Sequence, residues 1–135
     1  MQIATMAGDE GYTKTAGGEN IQKDHQLMEC LGELDELNSF LGDAKAALKC
    51  SSCDFETIKI IEGIQKDLYL LMGFLATQAG ELAVSVENLN SLINRLKSEL
   101  PIAAGFVIPG ENPESAKLHV ARAVCRRCER RLVSL

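Results

Sequence analysis

From Asp24 onward the apolar residues Leu27, Leu31, Leu34, Leu37, Leu41, Ala44 and Leu48 recur at steps of three and four. That is the period of an amphipathic helix, and Asp24 is a suitable N-cap, so the pattern predicts a long first helix from there to about Lys49. A short polar break from Cys50 to Asp54 precedes a second stripe, Ile58, Ile61, Ile64, Leu68, Leu71 and Leu75, which predicts a helix to about Thr77. So short a connection places the second helix antiparallel to the first.

A third stripe, Leu89, Leu92, Ile93, Leu96 and Leu100, lies between a capping Ser85 and a terminating Pro101. The segment that follows, PIAAGFVIPG, cannot continue a helix and is unusually apolar for a surface loop, so it is expected to need a cover. Asn112, Pro113 and Glu114 then supply a cap, a proline at the first helical position and an acid in the first turn, which start a fourth helix. That helix runs through Leu132, Val133 and Leu135 without a glycine, asparagine or proline to stop it. The expectation is that a further apolar C-terminal helix follows and closes the bundle.

Residues 1 to 23 carry Gly8, Gly11, Gly17 and Gly18 among small and polar residues, with no sustained apolar period, and read as an arm or loop. The predicted architecture is therefore all-α: an antiparallel up-and-down helix bundle over 24–135, preceded by a Gly-rich arm over 1–23. With 135 residues, 46% of them hydrophobic and 24% charged, there is enough chain for one core and one domain.

No apolar run approaches the roughly 20 residues of a membrane helix, and the first residues lack a secretion signal, so a cytoplasmic protein is expected. Five cysteines in such a chain are expected to be reduced. The net charge of -5 disfavours a general affinity for nucleic acid or anionic membrane. The charge is uneven, however: Lys117 to Leu135 holds six basic residues and one acid, leaving 8 basic and 18 acidic residues elsewhere.

On a wheel of about 100° per residue, Leu118, Ala121, Cys125, Cys128 and Leu132 of the last helix fall on one side, which is expected to face the core. Arg122, Arg126, Glu129 and Arg130, with His119, occupy an adjoining arc, and Lys117, Arg127 and Arg131 lie further round towards solvent. Arg122 and Arg126 stand four residues apart, so their guanidinium forks align and can hold several oxygens of one polyphosphate. A solvated basic face is the plainer reading of the same charges. The arm offers a complementary set, Gly8, Asp9, Gly11, Thr13, Gly17, Gly18 and Lys23: glycines admit backbone amides to phosphate oxygens, a hydroxyl adds a hydrogen bond and a lysine a point charge. Neither a Walker A pattern nor a Rossmann fingerprint is present.

Four stretches, GDEGYT with the later Lys23-Asp24, GELDELNSFLG, GFVIPG and LHVARAVCRRCERR, stand in an order and spacing that resemble the PduO-type ATP:cob(I)alamin adenosyltransferases. The resemblance runs from about residue 5 to residue 135. It implies a homotrimer of helical bundles with active sites where subunits meet, and transfer of the adenosyl group of ATP, carried with Mg²⁺, to reduced cobalamin with release of triphosphate. By the same resemblance Gly8, Asp9, Gly11, Thr13 and Lys23 form an ATP-gripping arm, while Arg126 and Glu129, with Arg130 and Asn38, hold the nucleotide on the bundle. Asp35 and Arg122 resemble an ion pair across the subunit interface, and Phe106 an aromatic that helps expel the lower axial ligand of the corrinoid. A reductase that delivers reduced corrinoid is a further implied partner. Two departures stand out: Ala7 replaces a frequent threonine, and Glu111 a common glycine.

Cys50-x-x-Cys53 and Cys125-x-x-Cys128 have the short spacing of zinc ligands. About 70 residues separate the pairs, and the second lies on the predicted core stripe, so no protein metal site is assigned. The alternative function is a non-catalytic nucleotide- or corrinoid-binding helical module. An Arg-rich nucleic-acid binder fits the last helix but neither the acidic remainder nor the 4% aromatic content.

Overall fold

The computed structural model describes residues 6, 8–51, 55–101 and 105–135. Four helices form: α1 (Gln26–Cys50), α2 (Phe55–Thr77), α3 (Val86–Glu99) and α4 (Pro113–Val133). Two of the predicted caps are made as expected: Ser85 Oγ accepts from the Asn88 amide at 3.2 Å, and Asn112 Oδ1 accepts from the Ser115 amide at 2.8 Å. At α1 the cap is His25 rather than Asp24. The Nδ1 of His25 accepts from the Leu27 amide at 3.1 Å, while its own amide donates to the Gln22 carbonyl and ties the cap to the preceding turn.

α1 is the central element, with α2 and α4 lying along it. Leu34, Leu37, Leu41 and Leu48 of α1 meet Ile58 and Ile61 of α2 and Ala121, Val124 and Cys128 of α4 in one core. Truncating a leucine as buried as Leu34, 2% exposed, to alanine removes about 2–5 kcal/mol. Both partners run antiparallel to α1. Lys45 and Lys49 pair with Glu62 of α2, whereas Asn38, earlier in α1, receives a hydrogen bond from the later Gln65. Along α4 the order is likewise reversed, Glu33 and Glu36 meeting Arg127, and Asp43 meeting Lys117.

The core face of α4 keeps four of its five expected residues, Leu118, Ala121, Cys128 and Leu132, and adds Val124. Val124 is buried and Cys125, expected on that face, is exposed, while Leu118 and Leu132 are partly buried. Lys117 and Arg127, expected towards solvent, reach carboxylates of α1.

α3 has no buried residue and is tied to the start of α2 by an Arg95–Glu56 ion pair. An apolar groove of about 400 Å³ runs between α2 and α4, lined by Leu41, Ile64, Leu68, Leu89, Ala121 and Cys125 among others. Residues 12–14 and 20–22, expected as arm or loop, pair as a two-stranded antiparallel hairpin of β1 (Tyr12–Lys14) and β2 (Asn20–Gln22). Its turn docks on the end of α2, where the Gly17 amide donates to the Ala76 carbonyl at 3.1 Å. A side chain at Gly17 would meet the Thr77 carbonyl at 3.1 Å, so the close approach needs glycine.

Candidate functional site

The hairpin assembles most of the arm residues. Thr13 pairs with Ile21, and the Lys23 amide continues the ladder by donating to the Gly11 carbonyl at 2.8 Å. Alternation along the strands then places Thr13 and Lys23 on the face of the buried Ile21. Gly11 adopts φ 84°, a conformation glycine takes without strain, and its amide donates to the Gly8 carbonyl at 3.3 Å in a turn that folds back over the strand. This turn carries Gly8 against Lys23 and leaves Asp9 exposed.

On α4 the arc of Arg122, Arg126, Glu129 and Arg130 is solvent-exposed. Arg126 and Glu129 lie 3.8 Å apart, both well exposed, and Arg130 donates to the Arg126 carbonyl at 3.0 Å. The guanidiniums of Arg122 and Arg126, one turn apart, are therefore open to a ligand along one line of the helix. Arg122 also borders a cavity of about 230 Å³ with Ser115, Leu118 and His119, and His119 Nδ1 is buried there without a partner.

Asn38 Oδ1 is likewise buried and unpartnered, although the Asn38 carbonyl receives Gln65 Nε2 at 3.0 Å. Asp35 is exposed, and among the described residues neither it nor Arg122 forms an ion pair within the chain. Phe106 is fully exposed at 109%, and Val107 and Ile108 beside it are exposed, so the described residues leave this part of the apolar loop largely uncovered. The loop leads into α4 at the end of the bundle where α2 begins. The arm sits at the opposite end, a helix length of about 30 Å away.

Arg127, which sequence reading assigned to solvent, spans Glu33 at 2.5 Å and Glu36, and these carboxylates push its pKa further up. Next to it the Cys128 thiol donates to the Glu33 carbonyl at 3.0 Å. Burial first, then the Glu33 carboxylate, pushes that thiol up to about 11. Among the described residues no cluster of three or more histidine, cysteine or acidic residues could hold a metal. Ala7 and Cys53, named in the sequence reading, lie outside the described residues.

The sequence model described as cobalamin adenosyltransferase matches residues 3–135. The corrinoid adenosyltransferase PduO of Salmonella typhimurium is 32% identical over 143 residues, covering all of this chain and 41% of that protein. A corrinoid adenosyltransferase of Bacillus subtilis is 34% identical, covering all of this chain and 72% of that protein. This chain thus spans less than half the length of the Salmonella relative. Among solved structures, a variant PduO-type ATP:corrinoid adenosyltransferase from Lactobacillus reuteri, complexed with cobalamin and ATP, superposes with a TM-score of 0.82 at 28% identity, covering 98% of this chain and 77% of that one. Another variant of that enzyme, complexed with ATP, gives a TM-score of 0.84 at 30% identity, with the same coverage. Together with the Gly-rich hairpin and the arginine arc of α4, these matches show that the chain belongs to the cobalamin adenosyltransferase family.

Proposed function

We propose that this protein transfers the 5'-deoxyadenosyl group of ATP to the cobalt of reduced cobalamin, yielding adenosylcobalamin and triphosphate. The observation that carries this reading is the exposed arc of Arg126, Glu129 and Arg130 on α4, in a protein whose second cationic element is the glycine-lined Lys23. The electron pair of cobalt(I) forms the cobalt–carbon bond, the C5'–O bond breaks, and triphosphate leaves with the bonding pair. The substrates bring both reacting atoms, so the protein needs no nucleophile. Its work is to align two reactants and to neutralise charge on the leaving group.

In this reading Gly8, Asp9, Gly11, Thr13 and Lys23 grip the Mg²⁺-bound triphosphate, and Arg126, Glu129, Arg130 and Asn38 hold the nucleotide on the bundle. Residues 1–23 act as the arm and 24–135 as the bundle. Phe106 offers an apolar face to the corrinoid. The full exposure of Phe106 supports a site shared between subunits of a homotrimer, joined by Asp35 and Arg122. Among the described residues no helix is long and apolar enough to cross a membrane, and we place the protein in the cytoplasm, supplied with reduced corrinoid by a reductase. Mixing the protein with MgATP and chemically reduced cobalamin tests the proposal: a light-sensitive cobalt–carbon product is expected. Binding of both substrates without product would instead make the chain a non-catalytic module.

A further inference from the structure

Four polar links join α1 to α4: Arg127 to Glu33, Arg127 to Glu36, Lys117 to Asp43, and the Cys128 thiol to the Glu33 carbonyl. Three of the four converge on Glu33 and on the neighbouring residues Arg127 and Cys128. Glu33 is the least exposed member of any ion pair in the described structure, its side chain 13% accessible, and Arg127 contacts two carboxylates one turn apart on α1 with two different nitrogens. A planar fork held at two points fixes direction as well as distance. The apolar residues beneath hold that direction less firmly: Ala121, Val124 and Cys128 are small, and the larger Leu118 and Leu132 are only partly buried.

From this we infer that Arg127, through Glu33 and Glu36, is a positioning residue that sets the rotation of α4 about its axis and thereby aims Arg126, Glu129 and Arg130 at the nucleotide. The inference rests on the adenosyltransferase reading above. Arg127 itself points away from that arc and touches no proposed ligand. Without the fork, α4 is held in rotation by its apolar face alone, and a turn of about half a residue step out of the Glu33 contact carries the Arg126 head group several ångströms round the helix. Misplacement on that scale is enough to cost about tenfold to a hundredfold in a reaction that depends on alignment.

Two readouts separate a positioning role from simple support, and one of them needs no nucleotide. Alkylation of Cys128 by iodoacetamide, resolved by peptide mass spectrometry, reports the rotation, because this thiol is buried and held by Glu33 while Cys125 is exposed. Calorimetric titration with MgATP reports the aim of the arginines. The proteins are wild type, Arg127→Gln, Arg127→Lys and the double variant Glu33→Gln with Glu36→Gln. Expected for Arg127→Gln and for the double variant are Cys128 alkylation at least about tenfold faster and MgATP bound about tenfold more weakly. Arg127→Lys, able to hold one carboxylate, should fall between, and it serves as the test where Arg127→Gln does not fold. Faster alkylation with MgATP affinity within twofold of wild type would overturn the positioning role and leave a structural clamp. Alkylation and affinity both unchanged would overturn the clamp itself. A wild-type protein that fails to bind MgATP overturns the nucleotide reading and the positioning role with it, while the alkylation rates still show whether the clamp governs rotation.

Discussion

The ammonium of Lys23 rests against Gly8: a methyl group added at Gly8 would lie 2.9 Å from Lys23 Nζ and 3.3 Å from the Tyr12 carbonyl. The glycine is there to admit a charge, since its backbone is not in the left-handed region. Gly8→Ala should therefore push the flexible end of Lys23 aside and leave the hairpin standing. The expected result is MgATP affinity lower by about fivefold to tenfold, or about 1 kcal/mol, with the melting temperature nearly unchanged. Gly11→Ala is the contrasting variant, because φ 84° strains alanine and should destabilise the hairpin by about 1 kcal/mol. Calorimetry and thermal melting of the two variants side by side check both outcomes.

Arg126→Lys keeps the charge and loses the planar fork. Its partner within the chain, Glu129, is 3.8 Å away and both side chains are more than half exposed, so the pair contributes about 1 kcal/mol at most to folding. Melting should barely move. If Arg126 holds phosphate oxygens, kcat/KM for ATP should fall by about tenfold to a hundredfold, and a normal value would remove Arg126 from the site.

What was legible in the sequence follows the range of the interactions. Helix caps at Ser85 and Asn112 bond amides three residues away, so local chemistry was enough to place them. The hairpin left no such trace: its strands are three residues long, only Ile21 is buried, and bonds such as Thr15 to Glu19 and Lys23 to Gly11 are made by backbone atoms. Arg127 was placed towards solvent because its partners on α1 lie more than 90 residues earlier in the chain. Two acids three residues apart on α1, Glu33 and Glu36, were the available signal that a basic residue would bind that side. Within the candidate site, the arginine arc was readable from spacing alone, whereas the meeting of Gly8 with Lys23 required the hairpin.

Phe106 has no packing to lose. At full exposure its replacement by alanine should change stability by less than about 0.5 kcal/mol, which separates function from folding cleanly. MgATP binding should persist and most adenosylation should disappear. The spectrum of cobalt(II)alamin with protein and ATP is the direct check, because a four-coordinate signal at wild-type level in Phe106→Ala would leave the ring without a role at the corrinoid.

The Cys128 thiol gives the α1–α4 contact an alkaline limit. Its folded pKa of about 11 lies above the ordinary value of 9.0, through burial and then Glu33. The unfolded chain therefore loses this proton first as pH rises, so the contribution to stability is complete below about pH 9 and is lost towards pH 11. The loss should be on the order of 1–2 kcal/mol. Cys128→Ala removes the titrating group and leaves a small void, so its stability should start lower and fall less steeply over that window. Denaturant melts of both proteins between pH 8 and 11 compare the slopes; parallel slopes would show that other groups dominate.

Asp35 and Arg122 are both exposed, next to the buried Leu34 and Ala121, and among the described residues neither has an ionic partner within the chain. If a neighbouring subunit brings the two together, its apolar surroundings exclude water, and the pair becomes costly to break from one side. Asp35→Arg or Arg122→Asp alone should then lower the assembly state through like-charge repulsion, and with it the turnover of a site shared between subunits. Combining the two reverses the polarity of the pair and should recover part of both. Light scattering coupled to size exclusion reads the mass, and the adenosylation assay reads the site. The pairing idea predicts that the double variant is closer to wild type in both measurements than either single change. Single variants that assemble and turn over like wild type would show that each charge is simply solvated.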